Sequence, residues 1–246
     1  DRIGTALNGD HAFHRFNPGV GLTYRFAPTL TAYAGYAEAN RAPTPAELSC
    51  ADAAAPCSLT NFFVGDPPLK QVVAHTFEAG LRGRLPAVVP GLDGVGRLDW
   101  HAGLFRTTSD DDIQFVSSAT AGRAFFRNVG KTRRQGVEAG LRLDAGRLTA
   151  YAEYAFTDAT FRTPLTLSSE DNPAADAAGE IHVRRGDRLP GIPRHTLKFG
   201  GDYAVSERWS VGASARVASG QALFGDEANQ TPKTDPYAVL NLHTAF

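Results

Sequence analysis

The sequence predicts an all-β chain: an antiparallel transmembrane β-barrel fragment, open as it stands. Three observations lead there. Apolar and polar residues alternate with a period of two along most of the chain, the connections alternate between short and long, and residues 236–246 read as a strand running out to an aromatic. In that last segment Ala238, Leu240, Leu242, Thr244 and Phe246 share one face, and Asn241 and Ala245 share the other. A soluble domain seldom stops at its last core side chain. The final strand of a barrel does, because it must pair with the first to remove both edges.

Composition narrows the alternatives. At 246 residues the chain could bury a core as one domain or two, so length excludes little. A formal net charge of −1 leaves no strong field for nucleic acid. With 42% hydrophobic and 21% charged residues, a soluble β-protein and an outer-membrane barrel fit equally. No apolar run reaches about eighteen residues, which excludes a transmembrane helix but not tilted strands of about ten residues. The chain opens on Asp1 without a basic, apolar leader, so either a signal has been removed or longer sequence precedes it.

The strands follow in order. Near residues 16–26, Val20, Leu22, Tyr24 and Phe26 oppose Gly19, Gly21, Thr23 and Arg25. Residues 29–38 alternate poorly, with Tyr33 and Tyr36 on opposite faces. The pentapeptide Glu78-Ala79-Gly80-Leu81-Arg82 recurs as Glu138-Ala139-Gly140-Leu141-Arg142, two staves of one wall whose apolar face is backed by charges and glycine. Leu98, Trp100, Ala102 and Leu104 oppose Asp99, His101 and Gly103; Leu148, Ala150, Ala152, Tyr154 and Phe156 oppose Thr149, Tyr151 and Glu153. His195, Leu197, Phe199 and Tyr203 oppose Thr196, Lys198 and Asp202; Trp209, Val211, Ala213, Ala215 and Val217 oppose Arg208, Ser210, Ser214 and Arg216. The count is about nine strands.

Short connections at residues 27–28, 145–146 and 205–207 face long ones at 40–72, 160–192 and 220–234, as in outer-membrane barrels. The connection over 86–96 is longer than that plan wants. Phe26, Trp209, Tyr237 and Phe246 near strand ends suit interfacial girdles. A soluble β-sandwich also alternates. It would seldom need hairpin arms as long as 97–117 and 124–144, nor so many charges beside glycines on one face.

Several stretches resemble the C-terminal part of the barrel of TonB-dependent outer-membrane receptors, over nearly the whole chain. They are Tyr36 to Leu48 with Arg41, Pro43 and Glu47; Asp66-Pro67-Pro68-Leu69-Lys70 followed by Thr76 to Gly80; Asp111-Asp112-Ile113 with Asn128 to Glu138; Leu189 to His195; and the terminal Phe246. The resemblance implies that residues 1–246 are the last strands of a barrel of about 22 strands, the N-terminal plug being absent. It further implies active uptake of a scarce ligand, foremost a ferric siderophore, across the outer membrane of a Gram-negative bacterium. Partners would be outer-membrane lipid, the TonB system acting through the missing plug, and the barrel-assembly machinery, which would read Leu240, Leu242 and Phe246. Thr244 stands where a second terminal aromatic is common. The competing readings are a passive porin-type channel and a secreted β-sandwich adhesin or lectin.

No constellation points to catalysis, and no cofactor or metal is expected. The histidines are scattered; His75 and His195, on apolar faces, read as interfacial, and Asp110, Asp111 and Asp112 as a solvated acidic strand end rather than a calcium loop. Cys50 and Cys57 read as a local disulfide, which for so short a ring contributes roughly 2.5 kcal/mol. Glu78, Arg82, Glu138, Arg142, Glu153, Lys198, Asp202 and Arg216 are expected to face the lumen, pairing across strands and meeting plug or solute. Arg184, Arg185 and Arg188 are candidate contacts for an anionic ligand, an iron chelate or a lipopolysaccharide phosphate.

Overall fold

The computed structural model describes residues 11–49, 57–58, 69–92, 94–118 and 123–246. The elements are β1 (Gly19–Ala27), β2 (Leu30–Arg41), α1 (Pro45–Ser49), β3 (Cys57–Ser58), β4 (Val72–Ala87), β5 (Gly96–Asp110), β6 (Ile113–Ser117), β7 (Arg123–Asn128), β8 (Thr132–Ala145), β9 (Leu148–Phe161), β10 (Leu165–Ser168), β11 (Glu180–Val183), β12 (His195–Ala204), β13 (Ser210–Ala218) and β14 (Tyr237–Ala245). Nine of them form one open sheet in the order β1-β2-β4-β5-β8-β9-β12-β13-β14, each strand antiparallel to the next. Residues 28–29, 88–95, 146–147 and 205–209 connect the wall strands at one end, and 42–71, 111–131, 162–194 and 219–236 at the other. The expected alternation of short and long connections is therefore present, including the longer turn after β4. Among the described residues no helix is long and apolar enough to cross a membrane.

Register shows which side chains share a face, since directly paired residues project to the same side. One row runs Ala79, Leu104, Val137, Phe156, and the next runs Leu81, Ala102, Ala139, Tyr154, Leu197. Both are apolar, and so is the row Ala213–Leu242 further along. These side chains are not covered: Leu22 is 70% exposed, Leu104 61% and Leu242 76%. In water, burying each such leucine would be worth about 1.5–3 kcal/mol, so a sheet that leaves the whole face bare is built for hydrocarbon. Among the described residues no second sheet lies against it; the two small sheets, β10-β11 and β3-β7-β6, belong to the long connections. The sandwich alternative fails on that point.

The buried core sits instead at the long-connection end. Val116, Val129, Ala159, Phe161, Leu167, Ile181, Val183 and Leu189 pack together, with Phe161 0% and Ile181 1% exposed. Ala159 and Phe161 are the upper residues of the charged face of β9, so the loops fold over the inward side of the wall.

Three expectations are corrected. The arms 97–117 and 124–144 are not continuous staves: both break, at Asp111 (φ 50°) and Gly130 (φ 75°), and the hairpin continues as β6-β7 in a separate sheet. At that break Asp112 is buried rather than solvated. It accepts hydrogen bonds from the Thr132 hydroxyl at 2.6 Å and from both Arg134 Nη atoms at 3.2 Å, while its N–H donates to Gly130 O and its carbonyl accepts from Val129 N–H. Tyr237, opposite Ala218, projects to the inward face and belongs to no outward girdle. The outward assignment of Trp209 holds, its indole N–H donating to Thr244 Oγ1 at 2.8 Å. Thr244 thus supplies a polar partner to a neighbouring aromatic at the position where the family commonly has a second terminal aromatic.

The assignment of faces is testable at mid-strand. In the whole receptor reconstituted into lipid bilayers, Leu104→Arg should lower unfolding stability by about 2–4 kcal/mol, read from the urea midpoint. Glu138→Arg, on the opposite face, should change it by less than about 1 kcal/mol.

Candidate functional site

The inward face is built by the same register. Arg25, Thr31, Arg82, His101, Gly140, Glu153, Lys198 and Arg216 lie opposite one another in a single row across eight strands. His101 and Glu153 meet over Gly140, with Nε2 and Oε2 3.4 Å apart. A Cβ at position 140 would collide with both side chains, so the glycine is what lets them meet. Nearer the short turns a ladder runs Arg84–Asp99 (2.8 Å), Asp99–Arg97 (2.7 Å), Arg97–Asp144 (3.1 Å) and Asp144–Arg142 (3.3 Å). His243 reaches Asp202 at 2.6 Å. These side chains are about a third or more exposed, so solvent screens the pairs and their worth lies in keeping the face wet rather than in stability.

All eight residues expected to face the lumen share this face. Arg142, Glu153 and Asp202 pair within the wall. Glu78, Arg82, Glu138, Lys198 and Arg216 enter no ion pair among the described residues; Arg82 lies 5.9 Å from the centre of the Tyr33 ring. A concave groove of about 670 Å³ opens here, lined by Arg25, Tyr33, Arg82, His101, Arg142 and Glu153 among others. Chemically this is a hydrated surface of mixed charge with cations in excess along its central row.

The outer connections are ordered by specific polar contacts. At the end of β2, Thr44 caps α1 through a bond from Glu47 N–H to its Oγ1 (3.2 Å), and Glu47 Oε2 accepts Thr44 N–H (2.7 Å). This capping box has Pro45 at the first helical position, where its missing donor is not needed. Burial of Glu47 opposes its charge, but hydrogen bonds from Arg41 and from Thr44 outweigh it and hold the carboxyl below the usual range. The Arg-Ala-Pro-Thr-Pro-Ala-Glu stretch singled out in the sequence is thus a helix-start signal anchored to the wall.

A second clasp joins the loop bearing β10 and β11 to residues 219–236. Ser169 Oγ and Asn172 Nδ2 donate to Gly225 O at 2.6 and 3.0 Å. Asp226, 3% exposed, accepts from Asn172 Nδ2, Gln230 N–H, Thr231 N–H and the Thr231 hydroxyl. Burial works against its charge, yet those bonds prevail and lower its pKa. Burial pushes the neighbouring Glu227 the other way. The cleft beside the clasp holds about 510 Å³ between Ser117, Glu170, Asn172, Phe224 and Asp226.

Of the three candidate arginines, Arg184 and Arg185 are exposed at a turn whose Arg184 N–H donates to Asp187 (2.6 Å). Arg188 is drawn down to the wall, bridging to Thr160 and bonded through its backbone to Asn229. Residues 50–56 and the side chain of Cys57 lie outside the described residues, and with them the disulfide expected between Cys50 and Cys57. Asp110, Asp111 and Asp112 each take a different cation, Lys131, Lys70 and Arg134. Among the described residues no group of three or more metal-binding side chains occurs. The clasp and the capping box escaped sequence reading; the capping box carries a local signal, while the clasp joins residues more than fifty positions apart.

The family model described as "TonB dependent receptor-like, beta-barrel" matches residues 1–246. Among solved structures, the chain is similar to "Copper transporter OprC" (21% identity, TM-score 0.58, covering 92% of this chain and 30% of that one). It is similar also to a variant of the ferric enterobactin receptor from Pseudomonas aeruginosa (20%, TM-score 0.57, 93% and 32%). A third is the siderophore receptor PirA from Acinetobacter baumannii (15%, TM-score 0.57, 93% and 34%). At these identities the likeness is one of fold, and the chain spans about a third of the length of the structures it matches.

The clasp yields a pH test. Because the pKa of Asp226 is depressed on folding, its contribution is present above the ordinary carboxylate range and is lost as pH falls through the lowered value. Glu227 contributes with opposite sign, fading as pH rises through its raised value. Amide exchange at Gln230 and Thr231, corrected for the intrinsic rate, should therefore accelerate as pH falls below the ordinary carboxylate range and through the lowered value of Asp226. Asp226→Asn should accelerate it by about tenfold already at neutral pH.

Proposed function

This chain belongs to the TonB-dependent receptor-like β-barrel family, whose members are outer-membrane transporters of Gram-negative bacteria and not enzymes, and from that premise we propose that it forms wall and outer loops of a receptor for a ferric siderophore. The observation that carries the reading is the division of the wall: an uncovered apolar face outside, and inside a charged face whose central row sets Arg25, Arg82, Lys198 and Arg216 against the one carboxylate of Glu153. Such a row suits contact with a plug and with an anionic chelate on its way inward. In this reading the plug and the segment that TonB grips come from sequence outside these residues. Arg184 and Arg185, exposed on the outer loops, meet the chelate first, and Leu240, Leu242 and Phe246 present the last strand to the assembly machinery. Two of the similar structures are a ferric enterobactin receptor and a siderophore receptor, which favours an iron chelate over the copper of the third.

The test is uptake of radiolabelled ferric catecholate by cells producing the whole receptor, with and without TonB. We expect accumulation only with TonB, and receptor levels that rise under iron limitation. Equal accumulation without TonB would mean a passive channel.

A further inference from the structure

The outward face changes character where β5, β8 and β9 approach the long connections. Up to that point it presents Leu104, Val137, Tyr154, Phe156 and Leu197. Above them Arg106 pairs in register with Gln135, and Gln135 with Asp158; one step higher Arg133 lies opposite Thr160, and Thr160 opposite Arg188. Register therefore puts Arg106, Arg133 and Arg188 on the same outward side. The Arg194 guanidinium joins them, lying 5.2 Å from the centre of the Phe156 ring and 3.5 Å from Asp158.

Charge and burial add to the placement. Burial, and then the proximity of Arg133, Arg185 and Arg106, lower the pKa of Arg162, just beyond the end of β9. Burial followed by Arg188 and Arg194 does the same for Lys233. The carboxylate that offsets Arg162 and Arg188 is Asp158, which Arg194 already engages. Nε of Arg133, Nε of Arg194 and the Thr160 hydroxyl are buried and have no hydrogen-bond partner among the described residues. Unmet donors of this kind, in an excess of guanidinium, fit an oxyanion with several acceptor oxygens. The loops fold over the opposite, inward side through Ala159 and Phe161, so the cluster does not lie on the path through the lumen.

We propose that Arg106, Arg133, Arg162, Arg188, Arg194 and Lys233 form a binding site for the phosphate of an outer-leaflet glycolipid, whose acyl chains lie along the apolar wall below. The commitment to a lipid rather than a free anion follows from position: on β5, β8 and β9 the cluster begins one residue pair above a hydrocarbon-facing row, and the Arg194 guanidinium lies over Phe156, the last outward aromatic of β9. The inference depends on the outward face meeting lipid and not on which cargo the receptor carries.

The experiment is native mass spectrometry of the whole receptor, delipidated in detergent, titrated with bisphosphorylated lipid A and with the same glycolipid stripped of its phosphates. The wild type should bind the phosphorylated form at least about tenfold more tightly. The triple variant R133Q/R162Q/R194Q should lose that preference, and R133K/R162K/R194K should retain it within about threefold. Equal binding of the two lipids by the wild type overturns the proposal. So does inorganic phosphate alone binding as tightly as the lipid, which would make this a soluble-anion site. Because the wild-type comparison decides by itself, failure of a variant to assemble does not remove the test. Loss of TonB-dependent uptake in cells with lipid binding intact would count against the siderophore reading and leave the lipid site standing.

Discussion

Every backbone N–H and C=O that crosses hydrocarbon must find its partner within the protein, and the rest of this structure follows from that constraint. The wall meets it by pairing nearly without interruption. β4 and β5 pair from Val73↔Asp110 to Ala87↔Gly96, β8 and β9 from Thr132↔Phe161 to Ala145↔Leu148, and a register shift occurs in the first hairpin, between Arg25 and Ala27. Within this sheet β1 and β14 each have one neighbour, and their side chains are correspondingly exposed along nearly the whole strand. A hydrocarbon-spanning sheet cannot keep such edges, and closure needs further strands. The solved receptors of this fold, about three times as long, have the length to provide them.

Continuous pairing fixes the alternation of side chains, and alternation separates two solvents. Leu81, Ala102, Ala139 and Tyr154 share a row facing lipid, while Arg82, His101, Gly140 and Glu153, one residue along each strand, share a row facing water. A one-residue slip anywhere would exchange the two sets. The wall therefore needs no packed core, and the core that does exist stabilises the loops. Phe161 marks the handover: it is the last residue of a wall strand and is completely buried beneath the loop hairpin β10-β11.

The same handover explains the most specific motif in the sequence. Where β5 and β8 leave the membrane, Asp112 gathers Thr132 and Arg134 from the opposite strand, and Asn128 bonds Asp111 O and Lys70 backbone groups. The hairpin can then leave the wall for another sheet without orphaned polar groups. Along the chain, three consecutive aspartates read as a solvated strand end. Their separate partners, Lys131, Lys70 and Arg134, come from two distant segments and leave no trace in local spacing.

By itself the sequence determined the nine wall strands, the faces of nearly every residue in them, and the end at which the long connections lie, because period-two alternation is a local consequence of backbone geometry and survives without knowledge of neighbours. Only the tertiary structure decided what the long connections do. The burial of Asp112, the clasp around Asp226 and the gathering of Arg106, Arg133, Arg162 and Arg194 depend on pairings between residues far apart in the chain. Arg184, Arg185 and Arg188 looked like one group because they are close in sequence, yet Arg188 bridges to Thr160 on the wall while Arg184 stays at the exposed turn. Loop side chains answer to whichever strands happen to stand beside them, and that is set by register across the sheet, not by any pattern along the chain.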